Sequence, residues 1–172
     1  MALDVTISGT TSDSYGDLNA IKARWDAVGY DYTGKTDTEI EKAARRATDW
    51  LEGQYRPRFP GNPADTDQRL HWPASGATDF YGNAIDDASI PVAVFHAQCE
   101  AAYRELTVPN SLTPDYVRAK VSNLKSAKAG PASVSYETGA LKGDVSDLQP
   151  LLTSVENILS RIISHPIGFG VV

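Results

Sequence analysis

Few residues of this sequence have the types and spacing that catalysis or metal binding requires. The histidines are His71, His96 and His165. The acidic pairs Asp65/Asp67 and Asp86/Asp87 lie in turn-rich sequence, and neither has a histidine at ligand spacing. No HExxH, CxxC or GxSxG string occurs, and no P-loop string is expected. We therefore interpret these acids as solvated loop residues and expect no catalytic residue, no cofactor, no bound metal and no enzymatic activity.

Cysteine usage and apolar patterning limit the class of protein. Cys99 is the only cysteine among 172 residues, which excludes an internal disulfide and fits a reducing cytoplasm. It falls on the apolar stripe of a predicted helix, so we expect a buried, inert thiol. The sequence begins without a signal-peptide pattern and has no apolar run long enough for a membrane span.

The overall charge opposes general binding to nucleic acids. The chain has 16 Lys and Arg against 22 Asp and Glu, a formal net charge of −6. Tight binding to phosphate backbones needs clustered basic residues. An acidic protein is nevertheless compatible with DNA that passes nearby without adhering, because like charges repel.

One short segment combines basic and aromatic residues, as single-stranded-DNA binding requires. The candidate DNA-binding residues are Arg45, Arg46, Tyr55, Arg56, Arg58 and Phe59. Lys120, Lys125 and Lys128 add charge in a later segment. The alternative interpretation is a solvated helix face followed by a loop that its aromatic residues anchor.

Periodicity predicts a mainly α fold: a small bundle of about four helices with one β-hairpin. The helices are predicted over residues 15–29, 37–55, 90–106 and 147–163, and the hairpin over 117–138 with a turn at 128–131. A long irregular loop covers 56–89, where prolines and glycines interrupt regular structure. The chain ends in an extended C-terminal helix and tail.

Capping residues mark the ends of these helices. Thr36 and Glu39 have the spacing of a capping box for the second helix, and Gly29 suits the C-terminal cap of the first. Ser89 is the predicted cap of the third helix, and Ser146 that of the last.

The long loop combines scaffold residues with a candidate surface. Its apolar residues are expected to pin it: Phe59, Leu70, Trp72, Phe80 and Ile85. Leu70 and Trp72 are predicted to fix it in the core, and Gly76 and Gly82 to permit turns with positive φ. Arg69 is expected to bond loop carbonyls or a carboxylate of a neighbouring subunit. The candidate residues for a subunit or partner interface are Arg69, Trp72, Asp79, Tyr81 and Asn83. Scaffold and interface remain equal alternatives for this loop.

The C-terminal region is strongly apolar. The candidate docking residues are Ile158, Ile162, Ile163, Ile167, Phe169, Val171 and Val172. An uncharged apolar tail prefers a groove or a sheet edge on a partner. The alternatives are that the tail folds back on its own domain or frays.

The long loop and the start of the third helix share a spaced pattern, which lies in residues 69–79 (RLHWPASGATD), 81–85 (YGNAI) and 90–94 (IPVAV). This pattern resembles that of the head–tail connector adaptors of long-tailed bacteriophages. Residues 43–55 (AARRATDWLEGQY) are similar to the family's second helix, and the match covers roughly residues 13–140. The same domain is sometimes labelled a DnaT-like single-stranded-DNA-binding domain, which is the rival hypothesis.

The resemblance implies a structural protein of the virion neck, assembled in the host cytoplasm. Residues 1–140 would form the adaptor core, and residues 141–172 a segment that docks on the portal. Copies would associate into a ring, by resemblance a dodecamer, between the portal protein and the next connector, stopper or tail protein. Genomic double-stranded DNA would pass through the channel without sequence-specific binding.

Overall fold

The computed structural model describes residues 2–113, 127–129, 132–134 and 152–163. The chain divides into two compact units, Met1–Leu112 with Leu151–Val172, and Thr113–Pro150. The fold is mainly helical with one longer two-stranded hairpin, as the sequence predicts. The first unit is therefore assembled from two separate stretches of chain.

The first unit holds four helices and two very short strands. The helices are α1 (Leu18–Val28), α2 (Asp37–Tyr55), α3 (Val92–Thr107) and α4 (Thr153–Leu159). A single 3₁₀ turn, Arg56–Arg58, follows α2, and β1 (Asn62–Pro63) pairs antiparallel with β2 (Ala74–Ser75). The main helix contacts are α2 against α3 and α3 against α4.

Helix α2 begins and ends where its sequence predicts. Thr36 accepts a hydrogen bond from the Glu39 amide at 3.3 Å, and the Glu39 carboxylate accepts one from the Thr36 amide at 2.8 Å. Its buried face carries three alanines between larger residues, which allows α3 to approach closely. The buried residues of this face are Ile40, Ala43, Ala44, Ala47 and Leu51.

The other helices begin or end differently from the prediction. Helix α1 begins at Leu18 instead of residue 15, because Asp17 is its N-cap. Helix α3 begins at Val92 and Pro91 takes the capping position, so the prediction that Ser89 is the cap was wrong. Helix α4 ends at Leu159, and a turn covers 160–163, which were predicted to be helical. Residues 147–151, and the predicted cap Ser146, lie outside the described residues.

The second unit contains the β-hairpin, with a shifted first strand. Strand β3 (Ala127–Ala129) pairs antiparallel with β4 (Ala132–Val134). Lys128 was predicted to begin the turn, but it lies within β3 opposite Ser133. The predicted first strand over 117–122 lies outside the described residues.

The long loop is fixed to the helices by buried side chains. Leu70 and Trp72 are buried, as predicted, and so is Phe59. The buried Gln68 amide nitrogen lies 2.7 to 3.0 Å from the carbonyl oxygens of Leu70, His71 and Pro73, which holds the chain in a tight bend. These bonds satisfy backbone carbonyl groups that would otherwise be buried without a hydrogen-bond partner. The loop is therefore an integral part of the fold.

The Glu52 carboxylate joins three segments of the first unit. It belongs to α2 and is only 12% exposed. It accepts hydrogen bonds from the Tyr15 hydroxyl of the N-terminal segment and from the His71 amide of the long loop, the latter at 3.1 and 3.2 Å. Arg56 completes the set at 3.3 Å. Burial and the nearby carboxylate raise the pKa of Tyr15 well above its ordinary value, so this hydroxyl stays a donor.

Replacing Tyr15 by Phe removes one donor from this carboxylate and keeps the ring. We expect Tyr15→Phe to lower the free energy of unfolding by about 1–3 kcal/mol, the cost of leaving a buried acceptor less satisfied. Urea unfolding measures the change. Tyr32→Phe is the matched control, because the Tyr32 hydroxyl bonds an exposed carboxylate, that of Asp26. A Tyr15→Phe effect no larger than the control's contradicts the role given to Glu52.

Burial of His71 predicts an acid-sensitive fold. Desolvation lowers the pKa of His71 below its ordinary value of 6.5, so the unfolded chain binds the proton more readily than the folded one. Stability therefore falls as the pH drops through that value. Burial lowers the pKa of His96 as well, so His71→Gln should reduce the pH dependence of stability without abolishing it. The measurement is the urea midpoint of the wild type and of His71→Gln at pH values above and below the ordinary histidine pKa. Midpoints that change equally with pH in the two proteins contradict the prediction.

Candidate functional site

Each arginine of the predicted DNA-binding set forms an ion pair within the protein. The pairs are Arg45 Nε–Asp13 Oδ2 at 2.6 Å, Arg46 Nη1–Glu105 Oε1 at 2.8 Å, Arg56 Nη1–Glu52 Oε2 at 3.3 Å and Arg58 Nη1–Glu156 Oε1 at 2.7 Å. A phosphate that binds here must compete with a carboxylate already in place. The structure brings these arginines into the scaffold of the first unit rather than into a shared nucleic-acid surface.

Arg46 shows why this competition is costly. Its partner Glu105 has a side chain only 2% exposed. Glu105 also accepts hydrogen bonds from the amides of Asn110 at 2.9 Å and Leu112 at 3.4 Å, and so holds the chain where α3 ends. Drawing Arg46 away would leave a buried carboxylate without its counter-charge, which is unfavourable even though the Arg46 side chain itself is 58% exposed.

The two aromatic residues of the same set are buried. Tyr55 and Phe59 pack with the core, and the Arg58 guanidinium lies 5.2 Å from the centre of the Tyr55 ring. Burial raises the pKa of the Tyr55 hydroxyl. A base can stack only on an exposed ring face, so neither residue offers a stacking platform in this conformation. Of the two interpretations given above, the geometry favours the scaffold.

The predicted interface residues of the long loop divide between two roles. Arg69 donates to the Ser12 carbonyl oxygen at 2.8 Å and to Asp49 Oδ1 at 2.6 Å, and Trp72 is buried. These two residues fix the loop. Asp79 and Asn83 shape its outer turn, which presents Tyr81 to solvent. Their part in an interface stays a prediction.

The outer turn of the loop is closed by the Asp79 side chain. Asp79 Oδ1 accepts hydrogen bonds from the amides of Tyr81 at 2.9 Å and Asn83 at 2.8 Å, and Oδ2 accepts one from the Asn83 side-chain amide at 3.0 Å. These bonds lower the pKa of Asp79. Gly82 has φ +84°, a value that favours glycine, as predicted. The turn is held against the C-terminal end of α4, because the Phe80 amide donates to the Arg161 carbonyl oxygen at 2.7 Å.

This turn displays two large aromatic side chains, which we call the aromatic tip: Phe80 and Tyr81. Phe80 is 68% exposed and Tyr81 70% exposed. Their rings pack edge to face with centroids 5.4 Å apart. Tyr81 was predicted as an interface residue, whereas Phe80 was expected to pin the loop, and its exposure shows that this expectation was wrong. The signal was present, because an Asp followed by Gly-Asn three and four residues later predicts a turn that carries the intervening side chains outward.

The C-terminal docking set is described only in part. Ile163 is buried, and Ile158 and Ile162 are half-buried against the core, next to the buried Val155 and Leu159 of α4. These side chains are used within the first unit. The remaining candidates, Ile167, Phe169, Val171 and Val172, lie outside the described residues.

Residues 29–36 (GYDYTGKT) match the residue pattern of a phosphate-binding P-loop, GxxxxGK[ST], so the expectation that the sequence has no P-loop string was wrong. The segment connects two helices, whereas a P-loop connects a strand to a helix. It borders a cavity of about 360 Å³ that Asp26 and Asp31 also line. Two carboxylates beside the cavity oppose the entry of a phosphate.

The backbone of this segment is also unsuited to phosphate. A P-loop offers free amides, but here the amides of Tyr30, Thr33, Lys35 and Thr36 donate to Trp25 O, Asp31 Oδ1, Tyr32 O and Glu39 Oε2, at 2.8 to 3.0 Å. The Thr36 hydroxyl donates to the Glu39 carboxylate. The string therefore serves as a helix–helix connection that ends in the cap of α2.

The described part of the chain has few features suited to metal binding, thiol chemistry or membrane insertion. No cluster of three His, Cys, Asp or Glu side chains suitable for a metal ion occurs among those residues. Desolvation raises the pKa of the buried Cys99 thiol to about 12, so its thiolate is scarce at neutral pH. None of the helices described is both long and apolar enough to cross a bilayer.

Removing the Asp79 carboxylate should loosen the aromatic tip without unfolding the protein. We expect Asp79→Ala to speed hydrogen exchange at the Tyr81 and Asn83 amides and chymotrypsin cleavage after Phe80 or Tyr81. Asp79→Asn retains one acceptor oxygen, so its exchange and cleavage rates should lie between those of the wild type and of Asp79→Ala. The global unfolding midpoint should change little, since the turn is peripheral. Unchanged cleavage in Asp79→Ala would show that other contacts hold the tip.

Comparison with known proteins gives one result. A family model described as "Putative DnaT-like ssDNA binding protein" matches residues 1–171. No curated protein and no solved structure matches the chain. The description agrees with the rival hypothesis of the sequence analysis and gives no support to a connector family. Because the match spans nearly the whole sequence, the chain belongs to this DnaT-like family.

Proposed function

We propose that the protein is a non-enzymatic structural subunit that works through protein–protein contacts, as a head–tail connector adaptor of a tailed phage. The observation that carries the proposal is the aromatic tip, two exposed aromatic side chains on a turn that is hydrogen-bonded to the scaffold. The tip lies in the loop whose sequence resembles the connector adaptors. The portal protein and the next tail-side protein are the partners of the proposal.

The tip has the properties of a binding anchor. Exposed aromatic side chains that become buried contribute a large share of interface energy. Anchors that are already ordered lose less conformational entropy on binding than flexible ones. The Asp79 hydrogen bonds supply that order. The tip therefore suits recognition of a preformed apolar slot.

The acidic surface is compatible with a ring around DNA. A head-to-tail contact between copies closes into a ring when its rotation permits. The net charge is −6, and the arginines of the predicted DNA-binding set are held in ion pairs. The described surface of the subunit therefore attracts phosphates only weakly. Genomic DNA would pass through such a channel without adhering. The apolar C-terminal set is the proposed portal contact.

Single-stranded-DNA binding is the second candidate function, and the family description favours it. If the chain binds single strands, the aromatic tip is the more suitable stacking platform, because Tyr55 and Phe59 are buried. The acids Asp79, Asp86 and Asp87 near the tip oppose a phosphate backbone. Under this reading the basic groups would have to come from elsewhere in the chain.

Two measurements on the full chain decide between these functions. The first is fluorescence anisotropy of a labelled oligothymidine over a salt series. We expect no saturable binding, whereas true binding would appear at low salt and weaken steeply as salt rises. The second is negative-stain imaging of the protein mixed with the portal protein of the encoding phage, where we expect an added ring.

A variant of the aromatic tip and a matched control test whether any binding that is measured depends on the tip. Phe80→Ala/Tyr81→Ala removes the aromatic tip, and Asp67→Ala changes an exposed acid elsewhere in the loop. Salt-sensitive oligothymidine binding that the tip variant loses and the control keeps would establish the second candidate. Absence of any ring on the portal, with the wild-type protein folded, would refute the adaptor.

A further inference from the structure

The cavity beside the α1–α2 connection is lined by aromatic rings and carboxylates together. Its volume of about 360 Å³ falls within the range of roughly 300–1,000 Å³ that is usual for ligand pockets. Tyr30 and Tyr32 line it with Asp26, Asp31 and residues 33–35. The two tyrosines are half-buried and the other lining residues are exposed, so the cavity opens to solvent. A side chain of another protein can therefore enter it.

Contacts with the rest of the first unit hold the two tyrosine rings in place. The Tyr30 ring stacks on that of Tyr103, with centroids 4.1 Å apart, and the Tyr30 hydroxyl donates to Glu100 Oε2 at 2.6 Å. The Tyr32 ring lies 5.5 Å from that of Trp25, measured between centroids. Because these partners order the rings before a ligand arrives, binding loses little side-chain entropy.

The charge of the lining is negative. Asp26 and Asp31 are exposed, and neither forms a salt bridge with another described residue. Asp26 Oδ1 accepts the Tyr32 hydroxyl at 2.9 Å, and hydrogen bonds from Thr33 lower the pKa of Asp31. Lys35 is the one cation among the described residues of the lining, and it forms no salt bridge with either carboxylate. The two carboxylates are thus available to a cation from outside.

We propose that this cavity binds the guanidinium group of an arginine side chain that belongs to a partner protein. A guanidinium is planar, stacks on aromatic faces and bonds a carboxylate through two parallel N–H groups. The cavity offers both kinds of contact, from the rings of Tyr30 and Tyr32 and from the carboxylates of Asp26 and Asp31. The inference rests on the proposed function for its kind of partner, because arginine is enriched where proteins meet.

Other classes of ligand fit this cavity less well. An anion would meet two carboxylates, and the backbone amides that could hold it already donate within the protein. An apolar group would displace water from the carboxylates without replacing its hydrogen bonds. A lysine ammonium is compact and strongly hydrated, so it gains less from the rings than a guanidinium does.

An NMR titration of the isotope-labelled full chain tests the site. The probes are blocked tripeptides that carry arginine, lysine or citrulline between two glycines, and citrulline has the shape of arginine without its charge. We expect saturable shifts of the Thr33, Gly34 and Lys35 amides with the arginine probe. The lysine probe should bind roughly threefold more weakly, and the citrulline probe should not saturate. Raising the salt concentration should weaken binding, because the carboxylates are exposed.

Two double variants with the same change of net charge separate a local effect from a general one. Asp26→Asn/Asp31→Asn removes both charges from the cavity and keeps an oxygen for the hydrogen bonds from Tyr32 and Thr33. We expect it to weaken the arginine probe roughly fivefold, as the loss of exposed ion pairs would. Asp86→Asn/Asp87→Asn makes the same change in the long loop and should bind the probe like the wild type.

Tyr32→Leu tests the aromatic half of the site, and Tyr32→Phe is the control that retains a ring. Tyr32→Leu should lose the preference for arginine over lysine, and Tyr32→Phe should keep it. A preference that survives in Tyr32→Leu contradicts the inference, and so does equal weakening by the two double variants.

Equal binding of the arginine and citrulline probes to the wild-type chain overturns the inference without recourse to any variant. If a ring still forms on the portal in that case, the adaptor function stands. If the arginine probe binds as described but no ring forms on the portal, the adaptor function fails and the arginine site remains.

Discussion

The first unit depends on one buried carboxylate, that of Glu52. A carboxylate removed from water must be compensated by donors, and here they come from three parts of the chain: Tyr15, Arg56 and the amide of His71. The N-terminal segment and the long loop are thereby fixed to the same turn of α2. The aromatic tip lies farther along the same loop, where the Phe80 amide bonds the Arg161 carbonyl oxygen.

A second constraint is the way the acidic chain distributes its basic residues. Acids outnumber bases, and the arginines of α2 and the following turn each lie against a carboxylate. Exposed ion pairs contribute little to stability. An ion pair with one buried member, such as Arg46–Glu105, matters mainly because separating it leaves the buried carboxylate without a counter-charge. The same residues that suggest a nucleic-acid surface in sequence are thus used to hold the scaffold. What remains exposed around the outer turn of the long loop is aromatic and acidic: Phe80, Tyr81, Asp86 and Asp87.

The sequence predicted the parts of the fold that depend on neighbours in the chain. The bounds of α2 follow from a capping box, the end of α1 from Gly29, and the burial of Trp72 from its position among prolines. The start of α3 was missed because a proline, not a serine, takes the capping position. The long-range ion pairs could not be predicted. Arg58 and Glu156 are 98 residues apart in the chain, and α3, which contacts both α2 and α4, links the elements that carry them. Phe80 was expected to pin the loop because a phenylalanine in a loop is ordinarily assumed to be buried, but it is exposed.

The bidentate pair between Arg58 and Glu156 also bears on the topology of the chain, because it joins the two stretches that make up the first unit. Residues 113–150 are consequently an insertion whose entry and exit belong to one scaffold. Closing a longer flexible insertion costs only about 0.6 kcal/mol for each doubling of its length. The scaffold can therefore accept a segment of different length at this point with little loss of stability.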